Sequence, residues 1–113
     1  MKHVTFADKS LLMGSDAAEA LLEYARLLGD HARTDAVTLR CLSPEGNTVE
    51  ASFLLNENTA LVVESTNTDV QPPDNTDLVL ELRDRIGALQ RPVRATEEAP
   101  WPADIPDDLT GEL

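Results

Sequence analysis

Nucleophilic, acid–base and metal chemistry draw on histidine, cysteine and grouped carboxylates, and this chain is poor in the first two. His3 and His31 are its only histidines and Cys41 its only cysteine. Neither histidine stands in an H-E-x-x-H or comparable ligand spacing. His31 follows Asp30 at the predicted end of a helix. A cation there is favoured by the negative pole of the helix dipole, which accounts for the residue without a metal or a catalytic role. Cys41 shares the apolar face of an alternating segment with Val37 and Leu39, the pattern of a buried structural thiol, and no partner in the sequence marks it as a nucleophile. A single cysteine excludes an internal disulfide and a cysteine-rich zinc site. Oxygen-bearing side chains are denser in Ser65-Thr66-Asn67-Thr68-Asp69 and, beyond Pro72-Pro73, in Asp74-Asn75-Thr76-Asp77. These stretches lack the residue order and central glycine of a calcium loop, and turn and capping hydrogen bonds explain their composition. No G-x-S-x-G, P-loop or G-x-G-x-x-G run occurs. The expectation is a chain with no catalytic residue, no metal site and no cofactor.

Charge narrows the partners. The 113 residues carry 9 Lys and Arg against 21 Asp and Glu, a formal net charge of −12. Nucleic acid and anionic membrane surfaces are recognised by clustered cations, so both are expected to be excluded. A basic protein would be drawn in; solubility alone is the plainer reason for such a charge. No apolar run approaches the roughly 20 residues that span a bilayer. With one cysteine and an N-terminus lacking the apolar core of a signal peptide, the chain reads as cytoplasmic.

The elements that would position these residues follow from periodicity. His3 to Phe6 alternates like a short strand. Gly14-Ser15-Asp16 reads as a helix start, with Ser15 or Asp16 as cap and Glu19 in capping-box spacing after Asp16. Ala17, Leu21, Tyr24, Ala25 and Leu28 then mark one helical face. The helix ends at Gly29 or runs on to Arg33. Three alternating segments follow. Ala36–Leu42 turns Val37, Leu39 and Cys41 inward. Thr48–Leu55 turns Val49, Ala51, Phe53 and Leu55 inward. Thr59–Ser65 does the same with Leu61 and Val63. The short turns between them predict an antiparallel meander with one covered face, and Glu50 and Glu64 as neighbours on the other. After a polar loop, Asp74, Asn75 or Thr76 caps a second helix over Thr76–Gln90, striped by Leu78, Leu82, Ile86 and Leu89. Pro92 ends it.

The predicted fold is an α+β two-layer sandwich in the order β-α-β-β-β-α. A three- to four-stranded antiparallel meander carries both helices on one face. Residues 1–92 form the globular domain and 93–113 an extended, acidic, proline-rich tail. That tail holds Ala99-Pro100-Trp101-Pro102-Ala103-Asp104-Ile105-Pro106-Asp107-Asp108-Leu109. Trp101, Ile105 and Leu109 could anchor in a partner's groove, framed by Asp104, Asp107 and Asp108. Alternatively, Trp101 folds back onto its own chain or a neighbouring subunit.

The function expected from these residues is a small non-enzymatic protein-binding or regulatory protein. Its partner would be a basic protein, as an immunity protein or antitoxin requires. Two alternatives stand beside it. One is a homodimer that covers Leu42, Leu54 and Val62 on the outer sheet face. The other is a small-ligand binder with a pocket between the sheet and the 66–77 loop.

Overall fold

A computed structural model of the chain describes residues 1–91. The elements are β1 (Lys2–Phe6), β2 (Lys9–Met13), α1 (Ser15–Asp30), β3 (Asp35–Leu42), β4 (Thr48–Leu55), β5 (Leu61–Ser65) and α2 (Thr76–Gln90). They make an α+β fold whose antiparallel sheet has the order β4-β3-β2-β1-β5. The tail from 93 to 113, with Trp101, Asp104, Ile105, Asp107, Asp108 and Leu109, lies outside the described residues.

The strongest alternation in the sequence makes the most regular ladder. β3 and β4 pair from Asp35↔Leu55 to Leu42↔Thr48 without a bulge. Val37, Leu39, Cys41, Phe53 and Leu55 point inward and are buried, as their period requires. Thr38 and Ser52 face outward and bond through their hydroxyls at 2.8 Å. The turn between the strands closes through Gly46 N–H to the Ser43 carbonyl at 2.9 Å. Gly46 sits at φ +89°, where a side chain would be strained.

The other half of the sheet departs from the expected meander. A fifth strand, β2, forms a hairpin with β1. β5 pairs with β1 rather than with β4, from Phe6↔Leu61 to Lys2↔Ser65. Glu50 and Glu64 therefore lie on opposite edge strands, and each faces a cation-forming partner. Arg40 Nε is 4.0 Å from Glu50, and His3 Nδ1 is 3.0 Å from Glu64. The physical reason is burial. Inside the sheet, Val4 on β1 is 1% exposed, packed between β2 and β5 and under α1. On a three-stranded meander it would have had no such cover. β1 and β4 stand three strands apart, roughly 14 Å in a flat sheet. The Phe6 and Phe53 rings nevertheless meet edge to face with centroids 5.5 Å apart. The sheet must therefore coil around its inner face.

α1 fills that concavity. Ala17, Ala18, Ala20, Leu21, Tyr24, Leu27 and Leu28 are all buried. The alanines let its first turns approach the sheet closely. α2 packs on α1 and β3 with a narrower stripe: Leu82 and Ile86 are buried, and Leu78, Val79 and Leu89 are half-buried against the core. The caps differ from the expected ones. Gly14 is the N-cap of α1 and no side chain caps the helix. Asp16 instead accepts the N–H of Ala17 at 2.8 Å. Gly29 stays inside the helix. The helix closes with Ala32 N–H bonded to the Gly29 carbonyl and Arg33 N–H to that of Leu28. This Schellman closure puts Ala32 at φ 51°, in the left-handed region usually taken by glycine.

Candidate functional site

The residues singled out for chemistry are mostly withdrawn from it. Cys41 is fully buried, and burial pushes its thiol up to about 11. Its Sγ lies 3.7 Å from the Leu39 carbonyl. His31 turns Nδ1 onto the Leu27 carbonyl at 2.8 Å, closing the last turn of α1. Neither meets a carboxylate. Among the described residues no group of three or more His, Cys, Asp or Glu could hold a metal ion. No helix among them is long and apolar enough to cross a membrane.

What the fold creates instead lies along one edge of β3. The backbone groups of Arg40 both turn away from β4. Its N–H donates to Asn75 Oδ1 at 2.8 Å, and its carbonyl accepts from Asn75 Nδ2 at 2.8 Å. By the alternation of an antiparallel ladder, Ala36, Thr38 and Leu42 also aim their backbone groups at that edge. β2 reaches this edge at a single pair, Leu12↔Leu42. Beyond that pair, side chains from the 66–77 loop and α2 take over. Asn75, 5% exposed, is the only buried polar residue among the described residues. It holds the N-cap position of α2, yet its amide completes the sheet. Asp74 takes up the helix start by accepting the Thr76 N–H at 2.9 Å. Arg40 Nη1 also donates to the Asp74 carbonyl at 3.0 Å. At the far end, Arg85 Nη1 donates to the Ala36 carbonyl at 3.2 Å.

Two hollows flank this edge. The larger, about 370 Å³, lies at the Leu12↔Leu42 junction. It is lined by Leu11, Leu12, Leu42, Pro44 and Val70, with His3, Ser10, Ser43 and Gly46 as its other walls. It lies against the 66–77 loop, which contributes Val70. Leu42 therefore sits in this hollow at 9% exposure, whereas Leu54 and Val62 are 59% and 51% exposed. Of the three residues expected to share an open outer face, one is covered. Three acidic residues adjoin the lining of the hollow. Glu45 sits between Pro44 and Gly46, Asp69 precedes Val70, and Glu64 is paired to His3. The His3–Glu64 pair could move a proton. Ser10, however, shares its hydroxyl with Thr5 at 3.5 Å, and among the described residues no hydroxyl or thiol is bonded to the His3 ring. The sequence concealed this pair because only the β1–β5 register brings positions 3 and 64 together.

The smaller hollow, about 220 Å³, lies between β3 and α2 and is lined by Ala36, Val37, Thr38, Leu78, Glu81, Leu82 and Arg85. Its lower end is closed by a four-residue network. The Tyr24 hydroxyl donates to Asp35 Oδ2 at 2.5 Å, Arg85 reaches the same oxygen at 3.0 Å, and its other nitrogen reaches Glu81 at 2.6 Å. Tyr24 holds the Asp35 carboxyl below its ordinary value, helped by the Ala36 N–H and Arg85. Burial, then the bond to Asp35, pushes Tyr24 upward. The network joins α1, β3 and α2. No family model, no curated protein and no solved structure matches the chain.

Proposed function

We propose that the chain is a non-enzymatic protein-binding protein whose partner is basic, in the manner of an immunity protein or antitoxin. One observation carries this reading: the walls of the apolar hollow at the Leu12↔Leu42 junction adjoin acidic residues, Glu45 next to Pro44, Asp69 next to Val70 and Glu64 bonded to His3. An apolar floor with a charged rim is the layout of a recognition hot spot. The floor takes an anchor side chain, and the rim selects the charge of its neighbours. The overall charge of −12 adds long-range attraction for the same kind of partner. The test is calorimetry with short peptides carrying one Leu or Phe flanked by lysines or by glutamates. Binding should be confined to the lysine set, weaken with salt, and weaken again in Val70→Ser and in Glu45→Gln/Glu64→Gln. Equal binding of both sets, or none, would refute the reading.

Self-association is the second reading. Leu54 and Val62 remain exposed on the outer face and favour it. They stand on opposite edge strands, β4 and β5, and so do not make one patch. Sedimentation of the full chain should distinguish the two, because a dimer through this face is lost in Leu54→Ser/Val62→Ser and the peptide binding is not.

A further inference from the structure

Four residues of β3 present backbone groups to the edge that faces β2 and α2: Ala36, Thr38, Arg40 and Leu42. Three of these positions are filled, each by a different device. Leu42 is met by β2, Arg40 by the Asn75 carboxamide, and the Ala36 carbonyl by Arg85. The Ala36 N–H is taken by its neighbour Asp35 at 2.8 Å. Thr38 is the fourth. Among the described residues nothing bonds its N–H or its carbonyl on this edge, and Thr38 lines the 220 Å³ hollow together with Leu78 and Leu82.

We propose that Thr38 is the binding point for a primary carboxamide, the side chain of an asparagine or glutamine on a partner protein, inserted end-on between β3 and α2. The Thr38 N–H and carbonyl point the same way, so a complementary group must offer an acceptor and a donor on one edge. Asn75 shows that a carboxamide does this on this strand two residues away, with both bonds at 2.8 Å. A passing β-strand has the right groups but no path. It would have to run across Arg40, where Asn75 already sits, and across Ala36, where Arg85 does. Only a group that enters from the side fits between them. A primary carboxamide has an N–H on the same side as its oxygen, whereas the N–H of a trans peptide unit points away from it. The methylene stem of the incoming side chain would lie on Leu78 and Leu82. The Glu81 and Arg85 side chains that line the hollow are already matched to each other, so a charged side chain gains little there.

The inference does not depend on the basic-partner reading, which concerns the other hollow. It is tested with small probes on the full chain, followed by 15N-resolved NMR: propionamide, the trans secondary amide N-methylpropionamide, and propionate. Propionamide should move the Thr38 amide resonance saturably in the millimolar range and leave Glu45 and Val70 in place. Losing one of two hydrogen bonds should weaken N-methylpropionamide about fivefold. Propionate, with two acceptors and no donor, should bind more weakly still. A variant that narrows the hollow from the exposed side, Leu78→Phe, should abolish the propionamide shift while the spectrum stays that of the folded chain. If Thr38 does not respond, its backbone is simply hydrated and the proposal is wrong. Equal responses to all three probes would also overturn it.

Discussion

The two edges of β3 are made in opposite ways. Toward β4 it has an unbroken ladder from Asp35↔Leu55 to Leu42↔Thr48, backbone to backbone. Toward β2 it has the single pair Leu12↔Leu42, and the rest of that edge is met by side chains of Asn75 and Arg85 or left open at Thr38. A ladder distributes its hydrogen bonds over many residues, none of which is chemically special. A side-chain edge concentrates them in one or two residues and leaves gaps between. The two hollows described above fall along the second edge.

Substitutions can break that contrast. The largest effect is expected where the ladder meets the core. Leu39→Ala removes a fully buried side chain and should cost about 2–5 kcal/mol in urea unfolding. Next is Asn75→Ala, which leaves the Arg40 N–H and carbonyl without partners. It should cost about 1–3 kcal/mol and raise the hydrogen-exchange rate at Arg40 well above that at Leu39. Asn75→Asp keeps the acceptor but loses the donor and sets a charge beside a carbonyl, so it should not restore the alanine loss. Tyr24→Phe should cost on the order of 1 kcal/mol by deleting the hydroxyl bond to Asp35. The smallest effect belongs to the ladder's outer face. Ser52→Ala removes a hydroxyl pair in water and should stay within about 0.5 kcal/mol.

pH sharpens the same comparison, because the far end of the side-chain edge carries the Tyr24–Asp35–Arg85–Glu81 network, whose ionisation is tied to the fold. Asp35 is held below its ordinary 3.8, so the fold favours its charged form. The stability it supplies is present above 3.8 and drains away as pH falls through the lower folded value. Tyr24 is raised above its ordinary 10.0, so its contribution is complete below 10 and fades as pH climbs past the folded value. Tyr24→Phe should flatten both limbs of a stability–pH curve, and Asp35→Asn chiefly the acid one. Unchanged slopes in both variants would show that the network does not couple ionisation to folding.

The sequence was most legible where a segment repeats its own period. Val37-Leu39-Cys41 and Phe53-Leu55 announce both their strands and their inner face, and Leu78-Leu82-Ile86-Leu89 announces α2. β2 escaped because Leu11-Leu12-Met13 does not alternate. Its turn also enters through Ala7 at φ 56°, a conformation that glycine would have advertised and alanine does not. The partner of β5 could not be read either. Alternation tells a strand which face to bury, but not which neighbour will bury it. Asn75 was legible as a capping residue, yet the tertiary fold draws its amide to Arg40, 35 residues away in sequence. For the same reason His3 and Glu64 carry no local sign of their pairing.

The β1–β5 pairing also has a consequence for how the chain is made. Lys2 leaves the ribosome long before Ser65, its partner across the sheet. The first hairpin therefore waits, with one flank of β1 bare, until more than half of the chain has been translated. Contacts this distant along the chain close slowly. Nascent chains stalled before β5 should be sticky and readily cut by proteases, and those stalled after α2 has emerged should resist both fates.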